Sequence, residues 1–132
     1  MQKTFTFYND GGHGWVKVSK ALLKELGIAD KVSTYSYQRG ENAYLEEDCD
    51  ASLLVNALKE RGIEPKFTDK YSDRSKIRGY ENYVYLTSEQ ENELADLKLR
   101  MVRSMNWNAT AIRRINNAGL ETLLYWQKQY GF

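Results

Sequence analysis

Apolar and polar residues alternate from Thr4 to Tyr8 and again from Trp15 to Val18, a period of two that predicts two strands. Between them, Asn9-Asp10-Gly11-Gly12-His13-Gly14 is rich in residues that tolerate turn backbone, so the pair is expected to close as a hairpin with Phe5 and Phe7 on one face. Ser19 is placed to cap a short helix, 20–26, that Gly27 ends; Leu23 and Ile28 have the spacing of the apolar contact in a Schellman stop. The order then repeats. Residues 32–38 predict a strand, 39–42 a turn and 43–47 a strand, after which Asp48 or Asp50 caps a helix running to Arg61. Gly62 stops it, with Leu58 and Ile63 in the same relation, and "LKELGI" at 23–28 returns as "LKERGI" at 58–63. Two ββα units follow from this reading.

Pro65 opens another predicted strand, 66–70, and 77–86 reads as a late strand with Gly79 as a bulge. Helical spacing takes over after Leu86. Thr87 and Gln90 stand at capping-box distance, and Leu94, Leu97, Met101 and Met105 form a stripe three or four residues apart. Asn106-Trp107-Asn108 breaks it, and further helices are expected over 109–117 and 120–130. The expected fold is therefore α+β: an antiparallel sheet of two ββα units plus a late strand or hairpin over 1–86, and a C-terminal helical extension over 87–132. Two short helices should pack on one face of the sheet. The extension is too short to bury much alone. It should dock on the sheet, pair with another copy into a homo-oligomer, or hold a partner.

Composition changes the picture in three ways. A net charge of +1 over 132 residues gives no global pull toward nucleic acid. Ten tyrosines, with Tyr35, Tyr37 and Tyr44 around the second hairpin and Tyr80, Tyr83 and Tyr85 along the late strand, favour half-buried strands and a sticky surface. The single cysteine, Cys49, has no internal disulfide partner and points to a reducing compartment. With neither a signal-peptide pattern nor an apolar run of membrane-spanning length, a cytoplasmic protein with no membrane partner is expected.

Candidate chemistry is sparse. His13 is the only histidine, and Asp10, Asp48, Cys49 and Asp50 could join it if the fold brought both regions to one end of the sheet. No metal-ligand spacing accompanies it, so no metal, cofactor or catalytic residue is assigned, and His13 reads as a turn residue that touches a partner. "YLEEDCD" at 44–50 places four acids in five positions; helix capping is its plainer reading, and an acidic knob for a basic partner is the sharper one. In the extension, 88–96 carries four acids and no base, whereas Lys98, Arg100, Arg103, Arg113 and Arg114 follow without an acid. Those bases with Trp107 could track phosphates and stack on a base, though they also suit a solvated helix face.

The segments "FYNDGGHGWVKV", "YSYQRG" and "YLEEDCD" together resemble a small family of phage and mobile-element proteins of unassigned function, over about residues 4–80. The resemblance implies a phage-type accessory protein made inside a bacterium, one that works by binding host machinery, defence systems included. The expected function is thus a non-enzymatic binder, an inhibitor or adaptor acting on a host protein complex. Its contact residues would be Asp10, His13, Trp15, Tyr37, Arg39, Tyr44, Glu46, Glu47, Asp48 and Trp107. The alternatives are a nucleic-acid binder using the basic tail and a small metal-dependent hydrolase around His13.

Overall fold

The structure is a computed structural model that describes residues 1–105 and 108–130. Six strands are described: β1 (Gln2–Asn9), β2 (Gly14–Ser19), β3 (Tyr37–Arg39), β4 (Asn42–Glu46), β5 (Glu64–Tyr71) and β6 (Glu81–Asn82). They form one sheet in the order β5-β1-β2-β4-β3-β6, mixed with α-helix in an α+β arrangement. All neighbouring pairs are antiparallel except β5 with β1, which is parallel. The reversal needed for a parallel partner is supplied by α2 (Ala51–Glu60), which carries the chain back to the start of β1.

Both ββα units form, and their helix ends follow the sequence closely. In α1 (Lys20–Glu25) the Leu22 amide donates to Ser19 Oγ at 3.1 Å. The chain then stops on Gly27 at φ +72°, with the Ile28 amide donating to the Leu23 carbonyl and the Gly27 amide to that of Lys24. At the end of α2, Gly62 at φ +71°, Ile63 donating to Leu58 and Gly62 donating to Lys59 reproduce the same stop. Each glycine sits where an L side chain would meet its own carbonyl, which is why the six-residue echo carries a structural meaning.

Alternation sorts the sheet into two faces. Phe5, Val16, Val18, Ala43 and Leu45 point to the side covered by α1 and α2 and are buried with Leu22, Leu23, Leu54 and Leu58. Trp15 and Tyr44 point to the other side, where Ile77 and Tyr80 close over them and Tyr8 and Tyr37 pack at the edges. The cover comes from a segment expected to be a strand. Residues 76–79 (Lys76–Gly79) form a 3-10 turn, capped by Ser75 Oγ accepting from the Ile77 amide, and only Glu81–Asn82 pairs with β3. Gly79 lies in that turn and makes no bulge.

The other departure is at 32–36. A 3-10 turn (Ala29–Lys31) and further turns replace the first part of the expected strand, leaving three residues in β3. Asp50 is the cause. Its buried carboxylate accepts from the Ser33 amide, Ser33 Oγ and Ser36 Oγ, which bends the chain around it. Asp50 stands at the N-cap position of α2 but makes no capping bond to that helix.

From Leu86 onward a second compact unit begins. It contains α3 (Ser88–Ser104), α4 (Ala109–Asn117) and α5 (Leu120–Tyr130). The Thr87–Gln90 capping box forms in full, and Asn108 Oδ1 accepts from the Ala111 amide at the start of α4. Contrary to expectation, this unit buries a cluster of its own: Leu97, Met101, Ile115, Ala118, Leu120 and Leu123 are covered by one another. No helix among the described residues is long and apolar enough to cross a membrane.

Candidate functional site at the acidic end of the sheet

Register determines what meets at this end. Asn9 pairs with Gly14 across a four-residue loop, and Trp15 pairs with Glu46. The loop 10–13 and the turn 47–50 therefore leave the sheet side by side. Within the loop, the Asp10 amide donates to the His13 carbonyl, and Asp10 Oδ1 accepts from the amides of Gly12 (3.1 Å) and His13 (2.9 Å). Gly11 takes φ +85°. Gly14 serves a different purpose: a Cβ there would lie 2.2 Å from Phe7 Cζ, so only glycine lets the returning strand cross that ring.

Arg78 joins the loop from 68 residues away. Its guanidinium grips the Asp10 carboxylate with two donors and lies over the Trp15 indole, 5.3 Å from the ring centre. That guanidinium, with the two backbone donors behind it, holds the Asp10 carboxyl well below the usual carboxylate range. The Trp15 N–H is buried without a hydrogen-bond partner among the described residues. Trp15 and Tyr37 meet edge to face, Tyr44 and Tyr80 are 5.1 Å apart, and Arg39 lies over Tyr80. Burial, with Tyr80 and Tyr8 close by, pushes the Tyr44 phenol up to about 12.

On the other side of the loop stands Glu46. Its side chain is 10% exposed, and Oε2 accepts the amides of Asp48 (2.7 Å) and Cys49 (2.9 Å). Oε1 faces His13 Nδ1 at 3.5 Å, and one ligand atom each from His13, Glu46 and Asp48 lie within 4.8 Å of one another. Desolvation, followed by the adjacent carboxylates of Glu46, Asp48 and Asp50, pushes the Cys49 thiol up. A thiol held protonated is a poor nucleophile.

The residues anticipated from sequence separate into groups. Asp10, His13, Trp15, Glu46 and Asp48 do come together; Glu47 is exposed at the same end, its side chain on the face that carries Phe7. Among them Trp15 and Glu46 are buried, so they support the surface, while His13, Glu47 and Asp48 present it. Tyr44 is buried in the aromatic cluster. Arg39 ends β3 and pairs with Asn42, which pairs with Ser19; that is the opposite end of the sheet from the loop 10–13. Tyr37 lies half-buried between. Trp107 lies outside the described residues. Of the basic residues in the helical unit, Lys98 Nζ donates to the Asn116 carbonyl, Arg100 pairs with Asp96 at 3.3 Å, and Arg114 lies over Trp126; Arg103 and Arg113 are exposed.

Arg78, Ser33 and Ser36 were not foreseen. All three lie in stretches that read as loop or strand, and their roles depend on contacts from distant parts of the chain. Comparisons with protein-family models, with curated proteins and with solved structures find no match to this chain.

Proposed function

We propose that this chain is a non-enzymatic binding protein whose acidic end of the sheet docks on a basic surface of a protein partner. Following the resemblance to phage and mobile-element proteins, that partner belongs to a host macromolecular complex of the bacterium, a defence system included, which the binding would inhibit. One observation carries the reading. Two segments distant in sequence, 46–50 and Arg78, are each bound to the loop 10–14, one by a backbone hydrogen bond from Glu47 to Gly14 and the other by a charge-assisted bond to Asp10, while His13, Glu47 and Asp48 are left exposed. A preorganised charged surface loses little side-chain freedom on docking and sets orientation and encounter rate. The helical unit gives the nucleic-acid alternative less support, since Lys98, Arg100 and Arg114, three of the five cationic side chains named for it, already engage groups within that unit.

The test is capture from bacterial lysate by the immobilised chain, in parallel with Glu47→Lys. The expected result is a protein retained by the parent at low salt, released as salt rises, and not retained by Glu47→Lys. Equal retention by the two, or retention of nucleic acid alone, overturns the proposal.

A further inference from the structure

We infer that His13, Glu46 and Asp48 form a binding site for one divalent transition-metal ion, of the zinc or manganese class. The spacing is the first reason. A histidine nitrogen and a carboxylate oxygen joined by a charged hydrogen bond stand about 2.7–2.9 Å apart. Here Nδ1 and Oε1 are 3.5 Å apart, too far for that bond. Two ligand atoms each about 2.0–2.1 Å from a tetrahedral ion lie roughly 3.3–3.4 Å from one another. The observed gap is close to that of two ligands on one ion, and an exposed side chain, Asp48, offers a third ligand atom within 4.8 Å.

The second reason is independent of spacing. Glu46 is a carboxylate nine-tenths removed from solvent, and both of its backbone donors go to Oε2. Oε1 is thereby fixed in direction and turned toward the imidazole. The histidine is held as firmly: its amide is bound by Asp10, its carbonyl by the Asp10 amide, and its ring lies 6.3 Å from that of Trp15. Backbone bonds thus orient two of the three ligands before any ion arrives, the role that outer hydrogen bonds play in built metal sites. One nitrogen and two carboxylate oxygens suit a first-row divalent ion, and the half-exposed ring leaves a side open for water. The site does not depend on the proposed partner: it needs only the ion.

Because His13 is the sole histidine, its ring protons report the site without ambiguity. Titration of the full chain with zinc chloride, followed by calorimetry and by proton NMR of the imidazole, should give one ion per chain and a stoichiometric shift of the His13 resonances. Manganese chloride should broaden the same resonances selectively. His13→Ala and Asp48→Asn alter exposed side chains; each should weaken zinc binding at least tenfold, and Lys59→Ala, near the far end of α2, should leave it unchanged. Absence of stoichiometric binding, or binding that survives both His13→Ala and Asp48→Asn, overturns the inference. If Glu47→Lys abolishes protein capture and zinc still binds, both proposals stand; if nothing is captured and zinc binds, only the docking proposal fails.

Discussion

Asp10 closes its loop through two backbone amides, ties that loop to Arg78 and, through Arg78, fixes what lies over Trp15. The Arg78 guanidinium first, and then the loop amides, depress its pKa, so the folded state binds the proton less readily than the unfolded chain. The sign follows: the contribution is complete above the unfolded value of about 3.9 and is lost as pH falls below it toward the folded value. In urea unfolding, the stability difference between the parent and Asp10→Asn should be flat from about pH 7 to 5 and shrink progressively below about pH 4. A difference that vanishes near neutrality, or persists undiminished in strong acid, contradicts this account. The turn itself was legible from Asp10 and its glycines, because turn chemistry is local. The work of Gly14 was not, since it depends on the Phe7 ring beneath it. Nor was the setting of His13, which reads as a solvent-facing turn residue until register brings Glu46 alongside.

At the scale of elements, the helices could be read, and so could four of the six strands; the other two could not be read in full. Caps and stops are encoded within five or six residues, and Ser19, Gly27, Gly62 and the Thr87–Gln90 box all sit where their sequence places them. The strands at 32–38 and 77–86 had the right alternation, but competing side-chain bonds decided their course. Ser33 and Ser36 bend toward the buried Asp50, and Ser36 Oγ in turn accepts the Glu46 amide, so one hydroxyl joins β4 to the turn before β3. Removing it leaves a buried carboxylate and a buried amide each short of a partner. Ser36→Ala should therefore destabilise the fold by about 1–3 kcal/mol, and a second variant, Ser33→Ala, should cost less because the Ser33 amide still reaches Asp50. Chemical denaturation of both variants checks this; a neutral Ser36→Ala would mean that the 32–36 turn is imposed from elsewhere. The edge strand β5 shows the same limit of local reading: Pro65, Lys66 and Lys70 on an exposed strand are edge-guarding residues, yet only the return path through α2 makes the pairing parallel.

Across the whole chain the decisive feature is that each of the two units buries residues of its own: the first has a cluster on each face of the sheet, the second a cluster among α3, α4 and α5. Composition alone argued that a helical stretch this short would need something else to cover it. The stripe Leu94, Leu97, Met101 and Met105 was visible in the sequence, but that Ile115, Ala118, Leu120 and Leu123 pack onto it is set by contacts between helices, which a local reading does not reach. A unit with its own core should respond to damage as a unit. Leu123 is fully buried, and Leu123→Ala should cost about 2–5 kcal/mol. That loss should appear in native-state hydrogen exchange as faster exchange of the α3–α5 amides, with protection in β1, β2 and β4 retained. Leu54→Ala, at an equally buried site under the sheet, should give the reverse pattern. If either substitution lowers protection across both sets of amides equally, the two units unfold as one cooperative body. A partner gripping the acidic end of the sheet would then stabilise the helices as well; if they respond separately, its stabilisation stops at the unit it holds.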